Sequence, residues 1–138
     1  MMRAPMADRG AAEGCDGTPA EGVYAGAPDL LQEATALTRL AERWRVEACA
    51  AALRGEPYEV GDVQERLYLL RRAVLSDRLA LVYPDDEKFV IEAAHLADRL
   101  AAFDHEHGTH RGPIGPGTIT WALSGRLYVR QEYGHRGE

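Results

Sequence analysis

Lysine is almost missing from this chain of 138 residues: Lys88 stands alone against fifteen arginines. With alanine, glycine and leucine also abundant, that usage follows from GC-rich coding, so arginine richness by itself carries no functional weight. Cysteine is equally sparse. Cys15 and Cys49 form no metal-type or redox-type spacing and no disulfide framework, which fits a reducing compartment. No stretch of about 18 apolar residues runs uninterrupted as a membrane span requires. The N-terminus has Arg3 and small residues but not the apolar centre of a signal peptide, so a cytoplasmic location is expected. The phosphate-cradling G-x-x-x-x-G-K, the nucleophile elbow G-x-S-x-G, the zinc helix H-E-x-x-H and the dinucleotide fingerprint are all missing. There is no internal repeat.

What is present suits one folded domain. Hydrophobic residues make up 46% and charged residues 28% of the chain, enough for a core and far from the composition of a disordered polymer. The formal net charge of −6 is spread unevenly. Residues 84–110 are strongly acidic, whereas residues 111–138 carry four arginines against two glutamates and lean basic. That balance predicts no general attraction for nucleic acid or an anionic membrane.

Residues 1–28 are mostly Ala, Gly and Pro with scattered charges, and only Val23 and Tyr24 offer anything to anchor, so composition predicts a disordered tail. A single domain, mainly α, then occupies 29–138. From about Asp29 to Arg54, Leu30, Ala34, Leu37, Ala41, Trp44, Ala48 and Ala51 recur at alternating steps of four and three, one stripe of a helix. Gly55 and Pro57 end it. Asp62 and Glu65 resemble a capping box opening a second helix over 62–82, with apolar rows at Leu67, Leu70 and Val74 and at Tyr68, Leu75, Leu79 and Val82. Ser76-Asp77 can also interrupt that helix and leave 79–83 as a short strand. A third helix over 86–104 carries Phe89, Ala93, Leu96, Leu100 and Phe103 after the breaker Pro84 and the acidic cap Asp85-Asp86-Glu87. Three amphipathic helices with short connections imply a small helical bundle.

Beyond Phe103 the pattern changes. Residues 105–117 are rich in His, Gly and Pro and read as loop. In the C-terminal segment 111–138, Thr118 to Ser124 reads as a short helix, and Arg126 to Tyr133 alternates in the manner of a strand.

Two local clusters carry candidate chemistry. Asp104-His-Glu-His-Gly-Thr-His110 packs five metal-ligand side chains into seven residues. The spacing of His105, His107 and His110 is similar to that of three zinc ligands in the metallo-β-lactamase motif H-x-H-x-D-H, with Thr109 in place of the Asp. A metal site requires such ligands to converge about 2 Å from one point. Residues 115–126 resemble the recognition-helix portion of helix-turn-helix regulators such as the LacI family. That resemblance implies Thr118 near the N-cap, Ile119, Ala122 and Leu123 inward, and Thr120, Trp121 and Ser124 outward, with Arg126 reaching a phosphate. The competing expectation is that Ile119, Trp121, Leu123, Leu127, Tyr128 and Val129 dock this segment onto the bundle.

No cofactor is implied. The leading expectation is a small non-catalytic protein acting through contact with a protein partner or by self-association. A helix-turn-helix DNA-binding protein using residues 115–130, with nucleic acid as partner, is the alternative. A metal-dependent enzyme built on the 104–110 histidine loop comes third.

Overall fold

A computed structural model of the chain describes residues 20–118, 121 and 124–137. The fold is mainly α: α1 (Ala20–Val23), α2 (Leu30–Leu53), α3 (Asp62–Val82), α4 (Glu87–His107) and α5 (Gly125–Gly134). No strand occurs among the described residues.

Local chemistry sets the helix ends. The Asp29 carboxylate accepts from the amides of Leu31 at 3.1 Å and Gln32 at 3.2 Å, and Asp86 accepts from Lys88 at 3.0 Å, so these two N-caps satisfy first-turn donors. Gly55, at φ +70°, lets the chain turn back on α2, with its amide on the Ala52 carbonyl and that of Glu56 on Ala51. The second start differs from the expected capping box. Gly61 is the N-cap of α3 and makes no side-chain cap bond, while Asp62 already lies inside the first turn.

α3 is the central helix. It packs along α4 and α5, and α4 and α5 pack on each other, while α1 rests on α5. The main core is built from α3 (Leu69, Leu70, Ala73, Val74), α4 (Leu96, Ala97, Leu100, Phe103), α5 (Tyr128, Val129, Tyr133), Tyr24 and Trp121. α2 supplies no residue to this cluster. It lies along α3 alone, and only Glu33, Leu37 and Ala51 of its 24 residues are buried. Trp44 is half-buried, its ring tilted against Tyr68 at 5.2 Å. Glu33 anchors the start of α2 by accepting two 2.8 Å hydrogen bonds from Arg71 on α3.

Three sequence expectations are corrected. The boundary of the expected tail falls too late: residues 1–19 lie outside the described residues, but Val23 and Ala27 pack on the core and Tyr24 is buried in it. One tyrosine with a buried hydrogen-bond partner outweighs a weakly apolar neighbourhood. Residues 79–83 do not form a strand, because α3 runs unbroken through Ser76-Asp77 to Val82. Residues 126–133 are helix as well. Six consecutive residues of α5, Tyr128 to Tyr133, are buried, and a helix enclosed on all sides loses the 3.6-residue signature that would distinguish it from a strand.

Candidate functional site

Because α2 and α4 both flank α3 without packing on each other, an open groove runs over α3 between them, with about 550 Å³ of space. On its α2 wall the small side chains of Ala34, Thr38 and Ala41 leave room beside the larger Leu37. Tyr68, Leu75 and Leu79 of α3 form the floor, and Phe89 of α4 forms the far wall. Charges of both signs edge it: Glu42 accepts from Arg45 at 2.5 Å, and Arg72 lies 3.4 Å from Glu92. Beside the groove, the outer side of α2 exposes Leu31, Val46 and Leu53, the last 90% accessible.

The opposite side of α3 is closed by charge. Asp77 is fully buried and accepts from Tyr24 Oη at 2.6 Å, Arg126 Nε at 2.5 Å and Arg130 Nε at 2.8 Å. Asp104, also fully buried, accepts from Arg66 Nε at 2.7 Å, Tyr128 Oη at 2.5 Å and Thr109 Oγ1 at 2.7 Å. Arg66 spans from there to Glu132 at 2.7 Å, and Glu132 further accepts from the amides of Arg111 at 2.6 Å and Gly112 at 2.8 Å. A side chain at position 112 would meet Gln131, its Cβ falling 2.2 Å from Gln131 Nε2, so Gln131 would have to leave its bonds to the Ile114 carbonyl and Glu132.

Burial alone would raise the Asp77 carboxyl, but the hydrogen bond and charge of Arg130, with Arg126 and Tyr24, hold it below the usual carboxylate range. At Asp104 burial is likewise outweighed by Arg66, Tyr128 and Thr109, and that carboxyl is also lowered. Burial, reinforced by their carboxylate partners, pushes the phenols of Tyr24 and Tyr128 up. These groups are locked as ionised acceptors and neutral donors. A general acid or base at neutral pH needs the reverse, a carboxyl raised or a phenol lowered towards the working pH.

The histidines do not converge. His105 is exposed. His107 lies in the last turn of α4, stacked on Phe103 at 4.1 Å, and its Nδ1–H donates to the Phe103 carbonyl at 2.9 Å. That bond, with Asp62 at 3.9 Å, raises its pKa above the ordinary imidazole value. His110 turns to the Gly112 carbonyl at 3.0 Å. Among the described residues no trio of His, Cys, Asp or Glu is placed to hold a metal ion. The loop that looked metal-binding instead supplies Thr109 to Asp104 and the Arg111 and Gly112 amides to Glu132.

Two of the recognition-helix candidates, Trp121 and Arg126, turn away from solvent, whereas Thr118 is exposed. Trp121 is buried, donates from Nε1 to the Gly115 carbonyl at 2.8 Å and meets Tyr128 edge-on at 5.4 Å. Arg126 points inward to Asp77. Thr118 donates to the Gly115 carbonyl at 3.1 Å, and Ser124 is half-buried ahead of α5. Thr120, with Ile119, Ala122 and Leu123, lies outside the described residues. The helix that follows is a core element, not a protruding one.

Sequence reasoning missed Asp77, Glu132, Arg66 and Arg130, and it read Asp104 as a metal-ligand candidate where the structure makes it the acceptor of a buried ion network. Asp77 stood in an apolar run and read as a helix interruption, although a carboxylate among Leu75, Leu79 and Ala80 equally marks a buried ion pair. No family model, curated protein or solved structure matches the chain.

Proposed function

We propose that the protein is a non-catalytic docking module whose working surface is the groove over α3 together with the outer side of α2. The observation that supports this is the unequal treatment of apolar and charged surface. The buried carboxylates are saturated with donors inside the scaffold, while α2 is held along one helix and keeps Leu31, Val46 and Leu53 in water. An open trough between two helices, small on one wall and aromatic on the other, has the form that accepts a further amphipathic helix. Its two guanidinium and two carboxylate groups suit a helix carrying charges of both signs rather than a polyanion.

Crosslinking from inside the living cell tests this reading. A photoreactive residue replacing Thr38, at the lip of the groove, is expected to yield a discrete covalent protein adduct. The same residue replacing Ala102, exposed on α4 away from the groove, is expected to yield none. Absence of an adduct from position 38, or equal labelling from both positions, would contradict the assignment.

A further inference from the structure

We infer that a second, smaller pocket, at the start of α3 on the side away from the groove, binds a small monocarboxylate with an apolar body, such as a medium-chain aliphatic acid. The site is separate from the docking surface and does not depend on that reading.

The pocket has about 300 Å³ of space, at the lower end of the range for small-molecule sites, in which apolar walls meet a few polar groups. Val63, Leu67 and Leu70 of α3 supply the apolar side, and Arg66, Arg111 and Arg136 supply guanidiniums. Val63 is 82% and Leu67 52% accessible, whereas Leu70 is buried. At about 100° per residue, these positions of α3 lie on the face opposite to Tyr68, Leu75 and Leu79, the floor of the groove. Apolar side chains left in water beside cations are the surface that an anion with a hydrocarbon body would cover.

Two of the guanidiniums are held in place before any ligand arrives. Arg66 donates to Asp104 from Nε at 2.7 Å and from Nη2 at 2.9 Å, and Nη2 also reaches Glu132 at 2.7 Å. Its plane is thereby fixed, while Nη1 makes no hydrogen bond among the described residues. Arg136 lies over the Tyr133 ring, 3.7 Å from the centroid, and its Nη1 donates to the Tyr133 carbonyl at 2.6 Å. Its Nε and Nη2 have no hydrogen-bond partner among the described residues. Arg111 lines the same space, with its backbone amide held on Glu132 at 2.6 Å. Donors that are already immobile lose little entropy on gripping a ligand, and the edge of a guanidinium matches a carboxylate.

Charge selects the valence of the ligand. One carboxylate, Asp62, lines the pocket, and it lies in the first turn of α3, where the positive end of the helix offsets it. His107 Nε2 is 3.9 Å from the same carboxylate. Behind Arg66, Asp104 and Glu132 set two further carboxylates on a single guanidinium. A phosphate dianion would therefore bring two charges towards three negative groups, whereas a carboxylate brings one. A neutral apolar ligand would leave the Arg136 donors unused, and a cation would meet guanidiniums. What suits the lining is a single negative charge on a hydrocarbon stem.

Octanoate titrated into the full chain at neutral pH, followed by backbone amide NMR shifts, tests the site. One molecule is expected to bind per chain with a dissociation constant of about 1 mM or tighter. The amides of residues 62–70, 109–112 and 134–137 are expected to move, and those of Ala34, Thr38 and Leu79 in the groove to stay in place. Octanamide, with the same body and no charge, and inorganic phosphate, with charge and no body, are each expected to bind at least about tenfold more weakly. Arg136→Gln, at an exposed position, is expected to weaken octanoate by about tenfold, since it removes a charge-assisted hydrogen bond. Val63→Asp, also exposed, is expected to weaken it further by setting a carboxylate in the apolar wall. Both variants should keep the helix content of the wild type, whereas Arg66 belongs to the buried ion network and is left unchanged. Absence of saturable binding at about ten times the expected dissociation constant would overturn the inference. So would equal binding of octanamide or phosphate, shifts centred on the groove, or octanoate binding indifferent to both variants.

Discussion

The α3–α4–α5 unit and α2 solve the problem of burying a helix in opposite ways. In the unit, α5 is only 10 residues long, yet six of them are buried, and they include Arg130, Gln131 and Glu132. Such a short helix has little intrinsic stability, and what holds it is apolar packing plus ion pairs whose every partner is satisfied. α2 is 24 residues long, has a capped start and a glycine-terminated end, and buries three side chains. It can form largely on local terms and needs only light attachment. Length and propensity thus say little about which helix is indispensable here. Burial of paired charge says more, because breaking one member of a buried pair strands the other.

That contrast can be broken by measurement, and the largest effect belongs to Asp77. Asp77→Ala leaves Arg130 and Arg126 without their shared buried carboxylate and is expected to cost about 3–5 kcal/mol in chemical denaturation. A cost below about 1 kcal/mol would mean that the ion network is ornamental. The acid limb follows with a definite sign. Asp77 and Asp104 titrate below their ordinary values in the folded chain, so their contribution is complete above the unfolded carboxyl value near pH 4. It is lost as pH falls through the lower folded values, and Asp77→Ala should flatten that limb.

Trp121→Ala comes next, at about 3 kcal/mol, since it removes a buried indole packed on Tyr128 together with its bond to the Gly115 carbonyl. An unchanged denaturation midpoint would return Trp121 to the surface and reopen the recognition-helix reading. A smaller cost, about 2 kcal/mol, is expected for Tyr24→Phe, which deletes one hydrogen bond to a buried charge. Truncation supplies the control: removing residues 1–28 should destabilise the fold more than removing residues 1–19, because only the longer deletion takes Tyr24 away.

The smallest effect is expected on α2. Leu53→Asp should shift folding stability by less than about 0.5 kcal/mol, as at other exposed positions. A loss comparable to that of Trp121→Ala would place Leu53 in the scaffold and erase the distinction between the two regions.

The limits of sequence reading follow the same line. Where a helix buries one stripe, as in α2 and α4, apolar spacing located it closely, and Asp29, Gly55 and Asp86 marked its ends as their chemistry requires. The end of α4 was read three residues early because His105, Glu106 and His107 are polar and continue the helix without continuing the stripe. Where a helix is enclosed, as in α5, periodicity vanished and a strand looked equally acceptable. The site was less legible still. A groove is created by the absence of contact between α2 and α4, and no residue encodes an absence. The ion pairs join positions 38 to 66 apart in sequence, a separation that single-chain patterning does not register. Local clustering also misled: the histidines drew attention to 104–110, while that segment's structural role falls to Asp104 and Thr109.

Native-state hydrogen exchange tests most directly whether α2 is a lightly attached element carried by a separate scaffold. The amides of α2 should open at a lower free energy than those of α3, α4 and α5, which should exchange together in the global unfolding step. Exchange of α2 in step with α4 and α5 would show that it belongs to the scaffold, and would contradict the account.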